Sequence, residues 1–376
     1  MTSVRSSRIP NVLLARIAVI LLGLYVLAAA GESPRCRRAT PEPSPSWSFS
    51  ASWNPVGDVL LLVDLGGARI LRFGKDGRHL GTIDGGSQER FQFDHPTELV
   101  ATNEGYLLAN GSTRLIWFDQ EIKPIRSLDL QMTRSVSRVR GPPGFRALFA
   151  HDFAQIGDQV VVYGSVLTAE KLIERAWVRL NVPTGELTEI SEEVELDLPG
   201  LHMELLTSPL LAHVDGGAYA LRLVEPPFIA QITPDRRHLR AFPEGFERLP
   251  TLPNERGRAA AAIQFKALER ATAPMGLYGR GSYLYLLTRQ PGSEGKTRWR
   301  VSQIDPRRDT LVRTLDLPTS ANHLYLAPGA QYWAVVEKGP VVVAGQQEIT
   351  SILLIPSTWI EDPGVTTLTG NDVVCH

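Results

Sequence analysis

A strand pattern that occurs twice in succession constrains this chain more than any other feature. Between residues 58 and 130, a hydrophobic strand leads through a tight polar turn to a strand that ends in an aromatic residue, and a second turn leads to a last strand. The strands of the two copies fall at residues 60–63, 69–73 and 79–83, and at residues 106–109, 114–118 and 125–130. Repeats of this length, built from short strands, are typical of propeller blades.

Looser copies of the same pattern follow along the rest of the chain. The second strands of the copies are centred near Leu61, Leu108, Val162, Ala220, Tyr285 and Ala334. Short strands separated by turns, with little helical periodicity, predict an all-β fold. Six copies predict a β-propeller of six four-stranded blades. Residues 258–273 are rich in helix formers and predict a short helical or irregular insertion between the fourth and fifth blades, where a lid over the channel is one role for it.

The first thirty residues are predicted to be a signal peptide. Arg5 and Arg8 precede an uncharged apolar run that ends in three alanines before Gly31. A membrane anchor is the alternative, although Arg16 would cost roughly 2.5–3.5 kcal/mol at the middle of a bilayer. Either way, the body is predicted to lie outside the cytoplasm, in the periplasm or secreted, and to meet a membrane only through an uncleaved anchor. The predicted organisation is a signal peptide or anchor at 1–30, a Pro-rich linker at 31–46, the propeller at 47–360 and a C-terminal tail at 361–376.

The chain has two cysteines, Cys36 and Cys375, at opposite ends of the predicted mature protein. The two ends of a ring meet, so a disulfide between these residues is plausible, and the chain-entropy account gives such a long loop roughly 4–5 kcal/mol. Two unrelated thiols are the alternative. Ring closure is equally open. The last unit either supplies all four of its strands, or receives its final strand from the N-terminal linker.

The best-preserved copy resembles the NHL repeat, a family whose units form β-propellers. The residues that carry the resemblance are Leu62, Val63, Asp64, Arg69, Ile70, Phe73, Asp76, Gly77, Gly85, Gly86, Phe91, Phe93 and Pro96. The second copy keeps Arg114 and Phe118 but has Asn110 where the family usually has Asp. The chain is also similar to divergent six-bladed propellers of bacterial exported proteins.

The resemblance implies a non-enzymatic binding or scaffold module for a protein, peptide or glycan. It also implies an alternative, because related six-bladed propellers include gluconolactonase-like hydrolases and peptide amidating lyases with a metal in the central channel. No cofactor is predicted under the first interpretation, and a divalent metal belongs to the second. The formal net charge of −1 argues against a nucleic-acid partner, which would favour a basic face.

Histidines near the innermost strands are the candidates for a channel site. His95, His151 and His323 precede or begin such strands, as does His213, which lies almost in the following turn. A channel metal needs several ligands at one height. The distances of these histidines from the following turn differ, so we predict no shared ligand shell and no metal site.

Two polar pairs recur at a similar spacing around a turn: Asp64 with Arg69, and Asn110 with Arg114. In one interpretation these side chains line the channel for an anionic or polar ligand. In the other they stabilise the turn between the second and third strands of a blade. The second interpretation is favoured, because it explains why the spacing repeats.

Overall fold

The computed structural model of the protein describes residues 36–42, 50–54, 56–87, 91–102, 105–131, 139–192, 210–214, 217–222, 228–232, 238–239, 272–292, 296–339 and 349–362. The chain divides into a unit at residues 1–35 and a second unit from residue 36 onward, and all described residues belong to the second. The predicted leader and nearly all of the predicted insertion at 258–273 therefore lie outside the described residues. Within the described ranges, no helix combines the length and apolarity needed to cross a membrane.

The strands form six antiparallel four-stranded sheets in a ring, which confirms the predicted six-bladed β-propeller. In blades 1 to 5 the strands follow chain order from the channel outward. Blades 1, 2 and 3 comprise β2 (Ala51–Trp53), β3 (Val59–Asp64), β4 (Arg69–Gly74) and β5 (His79–Asp84); β6 (Pro96–Ala101), β7 (Gly105–Asn110), β8 (Arg114–Asp119) and β9 (Pro124–Asp129); and β10 (Phe145–Ile156), β11 (Gln159–Thr168), β12 (Leu172–Asn181) and β13 (Glu186–Glu192).

Blades 4, 5 and 6 complete the ring. They comprise β14 (Leu210–Val214), β15 (Gly217–Arg222), β16 (Phe228–Gln231) and β17 (His238–Leu239); β18 (Ala273–Arg280), β19 (Tyr283–Pro291), β20 (Thr297–Asp305) and β21 (Thr310–Asp316); and β22 (His323–Ala327), β23 (Tyr332–Lys338), β24 (Ile349–Pro356) and β1 (Arg37–Ala39). A 3-10 turn (Gly85–Ser87) follows β5, and a five-residue helix, α1 (Ser357–Glu361), follows β24.

The hydrophobic core lies in the seams, the interfaces between neighbouring blades. The second strands are apolar runs rather than alternating ones, because both of their faces are covered by other blades. The fourth strand of blade 1, in contrast, alternates between partly buried and exposed residues. At the seam between blades 2 and 3, for example, Leu107 packs in the same cluster as Val160 and Val162. The burial of apolar side chains between neighbouring blades therefore stabilises the fold.

The ring closes by strand exchange. β1, which falls within the predicted linker, pairs antiparallel with β24 and forms the outermost strand of blade 6. The alternative, in which blade 6 supplies four strands of its own, is wrong for this reason. Arg38 on β1 also forms an ion pair with Glu337 on β23, with 3.0 Å between Arg38 Nη1 and Glu337 Oε2.

Cys36 stands directly before this closing strand. Its side chain is buried and disulfide-bonded. Cys375 lies outside the described residues, so the Cys36–Cys375 pairing stays a prediction. A disulfide at Cys36 anchors the chain beside the strand that completes blade 6.

Candidate functional site in the channel wall

The polar pair predicted in blade 1 stabilises its turn. Asp64 is fully buried, and its carboxylate accepts a hydrogen bond from Arg69 Nε at 2.7 Å and one from the Gly67 amide at 3.3 Å. Asp64 and Arg69 are also cross-strand neighbours at the end of the β3–β4 hairpin. The Asp64 carboxylate therefore holds the second and third strands of its blade together.

In blade 2 the corresponding residues, Asn110 and Arg114, bind different partners. The Asn110 amide oxygen accepts hydrogen bonds from the backbone amides of Asp94 and His95, at 3.1 and 2.7 Å, and its nitrogen donates to Asp94 Oδ1 at 3.1 Å. This last bond is the largest cause of the lowered pKa of Asp94. Arg114 Nε donates instead to Asp129 Oδ1 at 2.7 Å. Asn110 and Arg114 are register neighbours, but each one stabilises a different part of the blade.

The structure does not gather the candidate histidines. His95 is largely exposed, with its Nδ1 at 3.9 Å from Asp94 Oδ1. His151 Nε2 lies 3.1 Å from Ser165 Oγ of its own blade, and His323 faces Lys338 across the β22–β23 pair. In the described part of the chain, no group of three or more His, Cys, Asp or Glu side chains is placed to hold a metal ion.

The innermost strands place a different set of polar side chains at one height. Ser50, Glu98 and Asp152 occupy equivalent positions in blades 1, 2 and 3. The residue that follows each of them pairs with a residue in the second strand of its blade: Ala51 with Leu62, Leu99 with Leu108, and Phe153 with Val162. In blades 2 and 3 a β-bulge precedes this position, with Thr97 and His151 as the extra residues. Bulges re-aim the side chains next to them. We term these positions, with their counterparts in the other blades, the inner ring.

Side chains of the inner ring bind the backbone of the next blade. The Leu99 amide of blade 2 donates to Ser50 Oγ at 3.0 Å, and the Leu211 amide of blade 4 donates to Asp152 Oδ2 at 2.8 Å. Each bond satisfies an amide on the free edge of an innermost strand, where no further strand pairs. The inner ring thus contributes side-chain hydrogen bonds to the backbone of the next blade, and we call each of these bonds a tie.

Blade 5 achieves the same tie with a different residue. Its inner-ring position is Gly276, which also follows a β-bulge. A Cβ atom on this glycine would lie 2.6 Å from the hydroxyl oxygen of Tyr278, so the tyrosine side chain occupies the space that a side chain would need. The Tyr278 hydroxyl accepts a hydrogen bond from the Leu326 amide of blade 6 at 3.0 Å.

Glu98 departs from this series. The equivalent tie would bind the Phe153 amide of blade 3, but that amide donates to Asp152 Oδ1 at 2.7 Å. The Glu98 side chain instead hydrogen-bonds to the Asp152 carboxyl group. Two carboxyl groups can share a hydrogen bond only if one of them keeps its proton. Because both amides already donate to Asp152, the proton resides on Glu98.

The surroundings of Glu98 and Asp152 favour retention of that proton. Both residues keep partial solvent accessibility at the channel wall, although protein atoms surround them densely. Desolvation raises the pKa of Glu98 well above its usual value, and the charge of Asp152 raises it further. Desolvation also raises the pKa of Asp152 to about 7, against the opposing effect of its two amide donors. We term these two residues the carboxyl pair.

The comparisons with known proteins identify no family and give only distant structural likenesses. No family model and no curated protein matches the chain, so membership of the NHL-repeat family is not confirmed. Among solved structures, the chain is similar to a gluconolactonase from Xanthomonas campestris (15% identity, 88% of this chain and 92% of that one covered, TM-score 0.45). It is also similar to a DUF4221 family member from Bacteroides vulgatus (10%, 86% and 98%, TM-score 0.48) and to U3-55K (9%, 86% and 99%, TM-score 0.44). One of these three neighbours is a gluconolactonase by name, and likenesses at this level assign no activity to this chain.

Proposed function

We propose that the protein is an exported, non-enzymatic binding or scaffold propeller for a protein, peptide or glycan. The observation that carries this proposal is that the polar residues predicted as channel candidates form structural hydrogen bonds. Asp64, Arg69, Asn110 and Arg114 all bind groups of their own blade or its approach segment, and so they build a rigid ring. A rigid ring with exchanged closing strand is a platform from which loops meet a partner.

A metal-dependent hydrolase or lyase is the second candidate function, and the carboxyl pair is the observation that favours it. Glu98 and Asp152 bring two carboxyl groups from different blades to the channel wall, and carboxylate oxygens suit hard divalent cations. Within the described ranges, however, no third His, Cys, Asp or Glu side chain joins these two acids in a group that could hold a metal ion.

Metal analysis combined with a lactone-hydrolysis assay separates the two candidates. The purified full chain is dialysed against Ca²⁺, Mn²⁺ or Zn²⁺, its bound metal is counted by elemental analysis, and turnover of glucono-1,5-lactone is measured. We expect well below one equivalent of metal and no turnover above the buffer rate. A stoichiometric ion and turnover, both lost in Asp152→Asn but kept in Asp76→Asn, would establish the hydrolase instead. Asp76 is a suitable control because it lies exposed in a turn of blade 1.

Binding itself is tested with glycan and peptide arrays probed by the labelled protein. We expect saturable binding of one class of probe. In hydrogen exchange, we expect the bound probe to protect backbone amides in the loops of the blades. Protection confined to the outer strands, or no saturable probe on either array, would contradict the proposed function.

A further inference from the structure

Exposed apolar side chains recur at one structural position on the outermost strands. In blades 1, 2 and 5 a β-bulge interrupts the pairing of the third and fourth strands, and its extra residue is Leu80, Ile125 or Val312. These side chains are 40%, 53% and 43% exposed. Single exposed apolar residues are common on protein surfaces, but a bulge re-aims the side chain that it carries. Three such residues at the same place in three blades indicate a surface with a purpose.

Blade 3 has the same bulge without the apolar side chain. Its extra residue is Thr188, whose hydroxyl donates to the Arg179 carbonyl oxygen at 3.2 Å. The turn before this outermost strand, residues 182–185, has no charged residue. The turns before the outermost strands of the other three blades each have an exposed basic residue, namely Arg78, Lys123 and Arg308. The aliphatic and basic side chains therefore occur together, and the bulge by itself requires neither.

Blade 5 has the largest apolar and basic surface of this kind. Leu311, next to Val312, is 41% exposed, and both Arg307 and Arg308 of the preceding turn are exposed. The Arg308 side chain is 82% exposed, and its nearest carboxylate oxygen, Asp305 Oδ2, lies 3.8 Å from Nη1. An ion pair this long and this exposed leaves the guanidinium available to a further anion.

The charge of whole blades follows the same division. Blade 5, at residues 273–317, has eight Lys or Arg residues against four Asp or Glu residues. Blade 3, at residues 145–192, has four against seven. A chain with a formal net charge of −1 thus concentrates positive charge beside one of its aliphatic bulges.

The N-terminal segment joins the ring on the same face. The strands of each sheet alternate in direction, so all outermost strands begin on one face of the propeller. β1 is antiparallel to β24, and Cys36 therefore stands at the beginning of the outermost strand of blade 6. Blade 6 packs against blade 5 on one side and blade 1 on the other. The predicted leader or anchor therefore ends between two of the three aliphatic bulges.

We propose that these side chains form a rim that docks on an anionic lipid surface. The rim comprises Arg78, Leu80, Lys123, Ile125, Arg308, Leu311 and Val312. Aliphatic side chains enter the interfacial layer of a bilayer, and anionic headgroups attract the flanking Lys and Arg. Contact points on separate blades need a broad, flat partner, which a membrane provides and a single peptide does not. Strand addition from another protein is disfavoured, because the bulges interrupt the edges on which such a strand would pair.

This contact is separate from the other roles of the chain. The sequence predicts contact with a membrane only through an uncleaved anchor, and the rim adds a second contact that belongs to the propeller. It leaves the opposite face of the ring accessible, and it does not depend on what the propeller binds there.

The test is hydroxyl-radical footprinting of the full chain on two kinds of vesicle, phosphatidylcholine alone and equal parts of phosphatidylcholine and phosphatidylglycerol. The rate of oxidation reports the solvent exposure of each side chain. We expect oxidation of Leu80, Ile125 and Val312 to slow severalfold on the mixed vesicles only. Leu172, which is 52% exposed at the start of a third strand and hence on the opposite face, should be unaffected. An uncleaved anchor would hold the chain on both kinds of vesicle, so it cannot produce this difference.

A charge variant tests the basic part of the rim. Each Lys or Arg near an anionic surface contributes about fivefold to binding, so Arg78→Gln/Lys123→Gln/Arg308→Gln should weaken docking about a hundredfold and abolish the protection. The matched control is Arg140→Gln/Arg146→Gln/Lys171→Gln, which removes the same charge from exposed residues of blade 3 and its approach segment. The control should keep the wild-type protection.

Equal oxidation on the two kinds of vesicle would overturn the proposal, and the wild-type measurement needs no variant to fold. Protection kept in the rim variant, or lost in the control, would also overturn it. Protection that rises with protein concentration in the absence of vesicles would assign the rim to a second copy of the chain instead. Protection by soluble polyglutamate would assign it to an acidic protein.

Discussion

Four acids of this propeller occupy two kinds of position, and their charges are compensated in different ways. At the end of a second strand, Asp64 has Arg69 of the next strand at 2.7 Å, and Glu337 has Arg38 of the exchanged strand β1 of the same blade at 3.0 Å. On the innermost strands, no cation among the described residues lowers the pKa of either member of the carboxyl pair, and desolvation raises the pKa of both.

The difference reflects the origin of the neighbours. A residue at a hairpin end meets other strands of its own blade, which can supply the compensating charge. Arg69 lies five residues from Asp64 in the sequence, whereas Arg38 reaches Glu337 because β1 is exchanged into blade 6. A residue on an innermost strand meets the next blade, whose chemistry is set some fifty residues later. Uncompensated carboxyl groups cost stability unless they stay protonated, so the two positions should respond differently to mutation.

Asp64→Ala should have the largest effect. It removes a fully buried carboxylate that accepts hydrogen bonds from the Arg69 guanidinium and the Gly67 amide. Hydrogen bonds to charged groups are worth about 1.5–3 kcal/mol, so the loss should be about 2.5 kcal/mol. The free energy of unfolding from urea titration measures this loss. Asp76→Ala in the same blade is the matched control, since Asp76 is exposed, and it should cost less than about 1 kcal/mol. Equal losses in the two variants would remove the distinction between compensated and solvent-exposed acids.

Asp152→Asn should have an intermediate effect at pH 8, where the Asp152 carboxyl group is ionised. An amide side chain has one oxygen, so it cannot accept from both the Phe153 and Leu211 amides as the carboxylate does. The lost hydrogen bond predicts a decrease of about 1.5 kcal/mol in the free energy of unfolding. Glu98→Gln at the same pH should change it by less than about 0.5 kcal/mol, because the amide preserves the bond to Asp152. A larger loss for Glu98→Gln would reverse the assigned roles of the two carboxyl groups.

Ser50→Ala should have the smallest effect of the three. It removes both neutral bonds between the Ser50 hydroxyl and Leu99, because this hydroxyl accepts from the Leu99 amide at 3.0 Å and donates to the Leu99 carbonyl oxygen at 3.2 Å. The free energy of unfolding should fall by about 1 kcal/mol. Ser52→Ala is the control two residues away, because the Ser52 hydroxyl makes only a long 3.5 Å contact with the Trp53 carbonyl. Calorimetric unfolding of both variants measures the difference. Indistinguishable transition temperatures would mean that the neutral ties contribute nothing beyond the apolar seams.

Much of the architecture could be predicted because its signals are local. Consecutive apolar residues in β3 and β7 indicated strands buried on both faces, and the repeated spacing of such strands indicated six blades. The Asp64–Arg69 contact was predictable for the same reason, because a hairpin brings these two residues together within one repeat. Asn110 and Arg114 share that spacing, yet their partners Asp94 and Asp129 lie outside the turn, and the pattern alone could not supply them.

The candidate site required the tertiary structure. In the sequence, histidines are the conspicuous candidates because imidazole titrates near neutrality, whereas Glu98 and Asp152 resemble ordinary strand acids. A weak signal was present, since each acid directly precedes an apolar innermost-strand residue, Leu99 or Phe153.

By itself, the sequence determined the repeating unit, because hydrophobic periodicity and hairpin chemistry act over a few residues. Only the tertiary structure decided that β1 closes blade 6 and that Glu98 meets Asp152 at one height. Both outcomes depend on the register of strands far apart in the chain. That register is set by packing around the whole ring and by bulges at Thr97 and His151 that no local pattern specifies.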